Sequence, residues 1–231
     1  ASLALSIEWN EPEKLASFSS DTGKKWFEDA LNSGDFEEAF EEGEGKDGLE
    51  KASKVYSAEY WAPYLAHSTM EPMNCAVKIE DGHCDIWVGC QTPDVARGLA
   101  ARICDLSIDE VTLHSTFLGG GFGRRFNSDF VAEAAEVAKA SGLAIQLIWS
   151  REDDTRHDFY RPASLARFEV GVDKDGMIES WTAQRAGPNI MPYTLDEVVD
   201  GKAPGFIPNG LVDWLSKRGY GLFNGLTVDH S

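Results

Sequence analysis

Two glycine-containing turns constrain the fold of this chain more than any other feature, because each joins two apolar runs in the pattern of a β-hairpin. An Asp-Gly turn is a strong hairpin signal, since the tight turns that match the twist of paired strands require positive φ. Hairpins pair their strands antiparallel, so we do not expect a purely parallel sheet. The turns are Asp81-Gly82, between runs over residues 74–80 and 84–89, and residues 173–176, between runs over 165–172 and 177–183.

Helical spacing of apolar residues predicts two main helices, over residues 93–106 and 128–141, and a weaker helix over residues 21–32. Thr92 before Pro93 is typical of a helix start, and Gly142 stands where a left-handed C-cap belongs. Further strands are predicted from their apolar and aromatic content. These strands cover residues 55–66, 111–118 and 143–149. Pro63 restricts the first of them to a sheet edge or a bulge. The mixture predicts an α+β fold with mixed sheets, hairpins and two main helices.

Acidity along the chain suggests where its parts divide. Residues 1–60 hold 15 acidic and 6 basic side chains. We therefore predict an acidic N-terminal segment over 1–50, which is the end of a preceding domain or a connector. One domain is predicted over 51–190, and a weakly structured C-terminal segment over 191–231. A strand-like run over 3–9 begins without a preceding turn, which indicates a piece excised from something larger.

Composition excludes several classes of function. The net charge is −18, from 39 acidic and 21 basic residues, so the long-range field repels nucleic acid and anionic membrane surfaces. No nucleic-acid partner is expected. No run of about 18 apolar residues occurs that would predict a membrane-spanning helix. The cysteines, which are Cys75, Cys84, Cys90 and Cys104, form no CxxC pair and have no histidines at zinc spacing, so no metal site is predicted from them.

A glycine run is the best local signal of a binding site. Residues 119–121 and Gly123 are glycines that follow a predicted strand and precede a predicted helix. Glycines let the backbone approach a ligand closely, and a helix start offers free N–H groups. Arg124 and Arg125 add guanidinium groups suited to phosphate or carboxylate. The dinucleotide pattern GxGxxG fails because Arg124 stands at its last glycine, so a ligand loop and a simple tight turn remain alternatives.

Three other places carry residues with chemical potential. Gln91 lies at a strand-to-helix corner, where its amide is within reach of a ligand. His67 precedes Glu71 by four residues, which fits either a catalytic pair or a histidine buried in an aromatic-rich core. Residues 150–162 combine three arginines with four acids, a composition that is usually a self-neutralising surface segment.

In their order along the chain, four segments are more specific than any one alone. They are YLAHSTMEPMNC at residues 64–75, WVGCQTP at 87–93, FLGGGFGRR at 117–125, and WSREDD at 149–154 followed by RP at 161–162. Together they resemble the large molybdenum-binding subunit of the xanthine dehydrogenase and aldehyde oxidase family, and within it the beta subunits of isoquinoline 1-oxidoreductases. The resemblance implies part of a molybdopterin-binding domain of a molybdenum hydroxylase, which oxidises an N-heteroaromatic or aldehyde with water as the oxygen source.

The resemblance also implies roles for individual residues. Gln91 matches a glutamine whose amide lies near an oxygen ligand of molybdenum, and Phe122 matches a wall near the substrate. Arg161 matches an arginine that stabilises negative charge on substrate oxygen, which implies a catalytic role. Purine-oxidising relatives carry a glutamate where this chain has Phe126, so an apolar aromatic or an aldehyde is the expected substrate. Cofactor binding is implied for Gln91, Gly120, Gly121, Phe122, Gly123 and Arg124.

The family's catalytic glutamate lies near the C-terminus of a much longer chain and has no counterpart here. We therefore expect a fragment that is inactive alone and does not retain its molybdenum–pterin cofactor, which is either molybdopterin itself or its cytosine dinucleotide form. The implied partners are a small-molecule substrate, an iron–sulfur subunit that holds the clusters, and the remainder of the same subunit. Export to the periplasm is a further expectation from the resemblance.

Two alternatives to the hydroxylase fragment remain open from the residues. In the first, the glycine run with Arg124 and Arg125 holds a phosphate-bearing ligand without redox chemistry. In the second, the chain is a non-catalytic interaction domain that pairs with a second copy through an exposed apolar surface, giving a homodimer.

Overall fold

The computed structural model describes residues 17–36, 38–43, 45–188 and 190. The predicted strand over 3–9 and the predicted C-terminal segment over 191–231 lie outside these described residues. In chain order the elements are α1 (Ser20–Ser33), α2 (Gly45–Lys51), β1 (Lys54–Ala62), β2 (Asn74–Glu80), β3 (His83–Val88), α3 (Pro93–Ile103), β4 (Val111–Ser115), α4 (Asp129–Ser141), β5 (Ile145–Ile148), α5 (Arg151–Arg156), β6 (Ser164–Val172) and β7 (Ile178–Ala186), with 3₁₀ turns at Ile108–Glu110 and Arg124–Phe126.

These elements form two compact units, which we call the three-strand unit and the four-strand unit. The described part of the three-strand unit comprises residues 17–36, 38–43, 45–63 and 163–188, and that of the four-strand unit comprises residues 64–162 and 190. The predicted domain over 51–190 thus contains parts of both units. The predicted acidic segment over 1–50 supplies α1 and most of α2, which pack on β6 and β7. Among the described residues, the units divide the chain between residues 63 and 64 and between residues 162 and 163.

The three-strand unit is an antiparallel sheet in the order β1-β6-β7. Its β6–β7 hairpin turns at residues 173–176, as predicted, and Pro63 ends β1, which is an edge strand. α1 begins at a capping box between Ser19 and Thr22, and both helices contact the sheet. Large aromatic side chains line a shallow groove of about 210 Å³ on this sheet, namely the exposed Tyr56, Tyr60 and Trp181 and the half-buried Phe168.

The four-strand unit is a mixed sheet in the order β4-β3-β2-β5. The β2–β3 hairpin turns at Asp81 and Gly82, whose φ angles are 50° and 76°, so the Asp-Gly prediction is confirmed. β2 and β5 are also antiparallel, whereas β3 and β4 are parallel. The carboxyl ends of parallel strands meet at one edge of a sheet. The residues after Val88 and those after Ser115 therefore lie side by side.

Alternating strand residues and small helix residues build the core of the four-strand unit. The period-2 pattern of β2 and β3 turns one face of each strand inward, and the alanines of α3 and α4 let these helices approach closely. α3 ends at Ile103, earlier than predicted, because Asp105 takes a positive φ of 54°. The buried core includes Met73, Cys75, Val77, Ile86, Val88, Ala96, Ala100, Phe130, Val131, Ala134 and Ala138. The predicted α+β architecture is confirmed.

Candidate functional site

The glycine run forms a loop over residues 119–123 at the sheet edge where β3 and β4 end. Its first residue is held by Glu71, whose Oε2 accepts a hydrogen bond from Gly119 N at 2.8 Å, while Glu71 N donates to Gly119 O at 3.1 Å. Its last residue is held by Gln91, whose Oε1 accepts from Gly123 N at 3.0 Å. Gln91 and the loop, which are 32 residues apart in sequence, are therefore direct neighbours.

Glycine is required in this loop for two separate reasons. Gly120 and Gly123 both have a φ of 102°, a region that side chains strongly disfavour. Gly121 has no such angle, but a Cβ built on it would lie only 2.7 Å from Oε1 of Gln91. The amide of Gln91 thus occupies the position that a side chain would need. This part of the loop consequently presents backbone and one amide group.

Phe122 is the one side chain that the loop carries between its glycines. Its φ is 56°, in the left-handed region, which is costly for a bulky residue. Its side chain is nevertheless 71% exposed, so burial does not offset the strain. Phe117 and Met70, on the segments beside the loop, are also highly exposed. Strain combined with apolar exposure is typical of a ligand-contacting site.

Arg125 supports the loop from behind and is completely buried. Its Nε donates to Gly120 O at 2.8 Å, its Nη1 to Gly89 O at 3.0 Å, and its Nη2 to both O and Oε2 of Glu71 at 2.9 and 2.8 Å. All three guanidinium nitrogens therefore have partners in the protein. The predicted use of this guanidinium for a phosphate disagrees with these contacts. They join the loop to Gly89, which follows β3, and to Glu71, which lies in the segment before β2.

Arg124 is also completely buried, on the side of the loop that faces α4. Its two terminal nitrogens pair with the carboxylate of Asp129 at 2.9 and 2.8 Å, and its Nε lies 3.2 Å from Oδ1 of Asp158. The guanidinium of Arg124 is thus occupied by partners in the protein, and the cofactor-binding role of Arg124 stays a prediction. Three aromatic rings lie 5.2–6.0 Å from its guanidinium carbon, namely those of Phe130, Trp149 and Phe159.

The loop does not run directly into a helix start as the sequence suggested. The 3₁₀ turn Arg124–Phe126 separates the two, and Asp129 in the first turn of α4 is occupied by Arg124. Thr92, the predicted N-cap of α3, makes no capping hydrogen bond; its hydroxyl donates to Phe126 O at 2.7 Å. The start of α3 is thereby tied to the segment that follows the loop. With both arginines buried, the phosphate-binding alternative loses the charged groups that motivated it.

His67 pairs with Asp158, and not with Glu71 as its sequence spacing allowed. Its Nδ1 lies 2.9 Å from Oδ1 of Asp158, and its backbone N–H donates to Oδ2 of the same carboxylate at 2.5 Å. The sequence did not single out Asp158, because nothing in the pattern of residues 150–162 distinguishes one acid from another. Only the fold determines which partner each acid has. A Cβ built on Gly123 would lie 3.6 Å from Nε2 of His67, which places this ring beside the loop.

The ionisation of Glu71 follows from its position between the loop and Arg125. Partial burial alone would raise the pKa of Glu71. The hydrogen bonds from Gly119 N–H and Asn74, together with the positive charge of Arg125, outweigh burial and hold the pKa below its ordinary value. Glu71 is therefore ionised at neutral pH and accepts the loop's hydrogen bond as a carboxylate.

Arg161 is exposed and lies on a short antiparallel bridge to Leu65. Its backbone N donates to Leu65 O at 2.8 Å, and Leu65 is two residues before His67. The catalytic role assigned to Arg161 stays a prediction. So do the cofactor-binding roles of Gln91, Gly120, Gly121, Phe122 and Gly123, which the structure brings together in the loop and its immediate neighbour.

Within the described ranges 17–36, 38–43, 45–188 and 190, no group of three or more histidine, cysteine or acidic residues is arranged to hold a metal ion. The four cysteines are free thiols. Burial raises the pKa of Cys75 to about 12, so it stays protonated. In the same part of the chain, no helix combines the length and apolar character needed to cross a membrane.

Residues 27–187 match the family of molybdopterin cofactor-binding domains. This match includes the glycine loop, Gln91 and all the strands described above. The chain therefore belongs to the molybdopterin cofactor-binding domain family, whose members bind a molybdenum–pterin group.

Individual relatives are similar over part of their length. The chain is 34% identical over 142 residues to the isoquinoline 1-oxidoreductase beta subunit of Brevundimonas diminuta, which covers 57% of this chain and 18% of that protein. It is 29% identical over 204 residues to a protein of Gluconacetobacter polyoxogenes named membrane-bound aldehyde dehydrogenase [pyrroloquinoline-quinone], covering 86% of this chain and 26% of that protein. The chain thus spans about a fifth to a quarter of these curated relatives.

Among solved structures, the fold is similar to that of an aldehyde oxidoreductase from Desulfovibrio gigas, with a TM-score of 0.51 over 60% of this chain and 15% of that one. Quinoline 2-oxidoreductase from Pseudomonas putida 86 gives the same TM-score over 60% of this chain and 18% of that one. Sequence identities are 19% and 15%, so these two structures support the fold alone.

Proposed function

We propose that this chain forms one wall of the molybdenum–pterin pocket in a hydroxylase subunit that oxidises an N-heteroaromatic compound or an aldehyde with water as the oxygen source. The observation that carries this proposal is the contact between Gln91 and Gly123 beside the strained, exposed Phe122. The contact lies within the matched domain of a family whose members bind this cofactor.

The residues of the loop suit a flat cofactor that lies close to the protein backbone. Gly121 has no space for a side chain beside Gln91, and Gly120 and Gly123 adopt angles that suit glycine. A rigid ligand is able to approach the backbone of such a loop more closely than a surface covered by side chains. The buried arginines behind the loop hold it in this shape before a ligand arrives.

Each residue on the exposed side has a distinct part in this proposal. Oε1 of Gln91 already accepts from Gly123 N, so the amide NH₂ is the group left to donate to an oxygen of the ligand. The ring of Phe122 supplies an apolar wall that excludes water from the reacting centre and favours an aromatic or aldehyde substrate. When bound, the molybdenum–pterin group supplies the two-electron oxidation that side chains do not.

The finer features of the proposal come from the resemblance. We propose that the cofactor is molybdopterin or its cytosine dinucleotide form, and that electrons leave through iron–sulfur clusters in a partner subunit. The exposed guanidinium of Arg161 is proposed to stabilise negative charge on the substrate oxygen. The remainder of the subunit is proposed to supply the other walls of the pocket, because the chain spans only part of its relatives.

Two further features need their own measurements. The exposed apolar face of the three-strand unit supports a contact with a second copy of the chain, which light scattering of the purified protein tests. Export to the periplasm is proposed from the resemblance, and fractionation of producing cells tests it.

The decisive experiment compares Gln91→Leu with Gln146→Leu in the full-length protein that contains this chain, produced in a host that makes the molybdenum cofactor. Gln146 is an exposed amide on β5 and serves as the matched control. We expect wild type and Gln146→Leu to contain molybdenum and pterin and to oxidise an N-heteroaromatic or aldehyde substrate. Loss of one preorganised donor in Gln91→Leu is expected to lower turnover about 100-fold. Wild type with no molybdenum, or with bound pyrroloquinoline quinone in its place, would contradict the proposal.

A further inference from the structure

A buried chain of charged groups leads from the back of the glycine loop to its edge. Arg124 and Asp158 are both inside the four-strand unit, with side-chain exposures of 0% and 1%, and Nε of Arg124 lies 3.2 Å from Oδ1 of Asp158. The same carboxylate receives the backbone N–H and the ring Nδ1 of His67. This carboxylate therefore forms an ion pair with Arg124 and hydrogen bonds with the backbone and the ring of His67. One carboxylate consequently holds both the backbone and the ring nitrogen Nδ1 of His67.

The contact with Asp158 also determines which ring nitrogen of His67 carries the proton. Nδ1 lies 2.9 and 3.0 Å from the two carboxylate oxygens, which only accept hydrogen bonds when ionised. Nδ1 is therefore the protonated nitrogen, and in the neutral ring Nε2 is a hydrogen-bond acceptor.

Nε2 of His67 faces the loop and has no hydrogen-bond partner among the described residues. The side chain is 91% buried, since its relative exposure is 9%. The space that a Gly123 side chain would occupy borders Nε2, because a Cβ there would lie 3.6 Å from it. The free lone pair of an unprotonated imidazole nitrogen in this position is able to accept a hydrogen bond from a ligand donor in this space.

We propose that His67 is a ligand-binding residue of this site, and that its Nε2 accepts a hydrogen bond from an N–H group of the ligand seated beside Gly123. A pterin carries ring N–H and amino groups, so it belongs to the class of ligand that this acceptor recognises. This inference rests on the proposed function. It adds a ligand contact beside Gly123, at the ring of His67, to those proposed for Gln91 and Phe122. Asp158 is the positioning residue for the ring.

Two substitutions separate ligand binding from a structural role of His67. In His67→Asn, the amide nitrogen lies close to the former Nδ1, so the contact with Asp158 is retained while the group at Nε2 is removed. In His67→Gln, the longer side chain puts an amide group close to the former Nε2 and weakens the contact with Asp158. His114→Asn is the matched control, because His114 also pairs with an aspartate, Asp85, at 2.8 Å, on β4 away from the loop segment.

The variants are made in the full-length protein and purified from a host that makes the molybdenum cofactor. The readouts are the molybdenum and pterin bound per protein after dialysis, and the midpoint of thermal unfolding of the cofactor-free form. We expect His67→Asn to retain its unfolding midpoint and to bind the cofactor about 10-fold more weakly, as expected for one lost hydrogen bond. His67→Gln is expected to retain more cofactor than His67→Asn despite lower stability.

The opposite ranking would overturn the inference. If His67→Asn bound as much cofactor as wild type and His67→Gln lost it together with stability, the ring would only support the fold. Equal losses in His67→Asn and His114→Asn would also contradict a contact at this site. These outcomes leave the proposed function intact, whereas wild type without molybdenum and pterin would overturn both proposals.

Discussion

The glycine loop has a buried side and an exposed side, and the two differ in whether their polar groups have partners in the protein. On the buried side, Arg125 has no exposed surface, and each of its guanidinium nitrogens donates to a carbonyl or carboxylate oxygen. On the exposed side, Gln91 keeps its amide NH₂ available and Phe122 holds a strained angle in contact with solvent. Charge is fully paired behind the loop, while polar and apolar groups are left open in front of it.

This difference shows how buried charged residues hold the shape of a loop whose accessible surface carries few charges. The arginines that look like ligand-binding groups in the sequence hold the shape of the loop, and glycines, one amide and one ring form its accessible surface. A preorganised backbone held by buried ion pairs orients a cofactor without rearrangement on binding. Each prediction below changes one side of the loop and compares the effect with that on the other side.

The largest effect is expected when the buried side loses its charge. Arg125→Met removes the partner of Glu71 and the donors to three backbone carbonyls, so we expect the four-strand unit to lose about 3–5 kcal/mol of unfolding free energy. Arg167→Met is the control, because Arg167 forms a half-exposed pair with Glu59 and should change stability by less than about 1 kcal/mol. Hydrogen exchange of each unit measures both changes, and equal effects would contradict the comparison.

A smaller effect is expected from filling the space beside Gln91. A Cβ in Gly121→Ala would lie 2.7 Å from Oε1 of Gln91, so the amide must move and the loop must shift. We expect a cost of about 1–3 kcal/mol, as for other overpacked sites, together with loss of the hydrogen bond from Gly123 N. Gly82→Ala does not serve as a control because the φ of Gly82 is positive. Gly45→Ala is the control, because its Cβ would make only ordinary van der Waals contacts, at 3.8 Å from Thr182 and 3.9 Å from Trp181, and should be tolerated. A crystal structure of Gly121→Ala with Gln91 unmoved would contradict this expectation.

On the exposed side, relief of strain is expected to stabilise the protein. Phe122→Gly removes a bulky residue from a left-handed φ of 56°, so the unfolding free energy should rise by about 1 kcal/mol. Turnover by the full-length protein should fall at the same time, because the apolar wall is lost. A decrease in stability on thermal unfolding would show that Phe122 contributes packing that its exposure does not indicate.

The smallest expected effect concerns the acid sensitivity of the loop. The folded-state pKa of Glu71 is lowered, so its contribution to stability is present above its ordinary pKa and is lost as the pH falls through the lower folded value. Stability should therefore decline on acidification below about pH 4.5, the ordinary value for this carboxyl. In Glu71→Gln this component of the decline should be absent. Thermal unfolding of both proteins over this pH range provides the measurement.

Local patterns predicted the elements around the site well. β2 begins and ends where its apolar run does, the Asp81-Gly82 turn closes its hairpin, and Gly142 caps α4 with a φ of 67°. These features depend on residues close together in the chain, so propensity and turn chemistry suffice. Two details depend on distant groups. Thr92 is the N-cap of α3 as predicted, but its hydroxyl donates to Phe126 O and not to the helix, and the side chain of Arg124 is buried with Asp129 and Asp158.

The sequence by itself determined the hairpins, the glycine positions and the family, because each is written in short runs of residues whose conformational demands are local. Only the tertiary structure decided that β3 and β4 are parallel neighbours, which brings Gln91 into contact with the glycine loop. It also decided that Arg124 and Arg125 are buried behind this loop. The physical reason is that a charged or polar side chain is equally compatible with solvent, a ligand or a buried partner. Which of these it meets depends on segments far away in the chain that share its place in the fold.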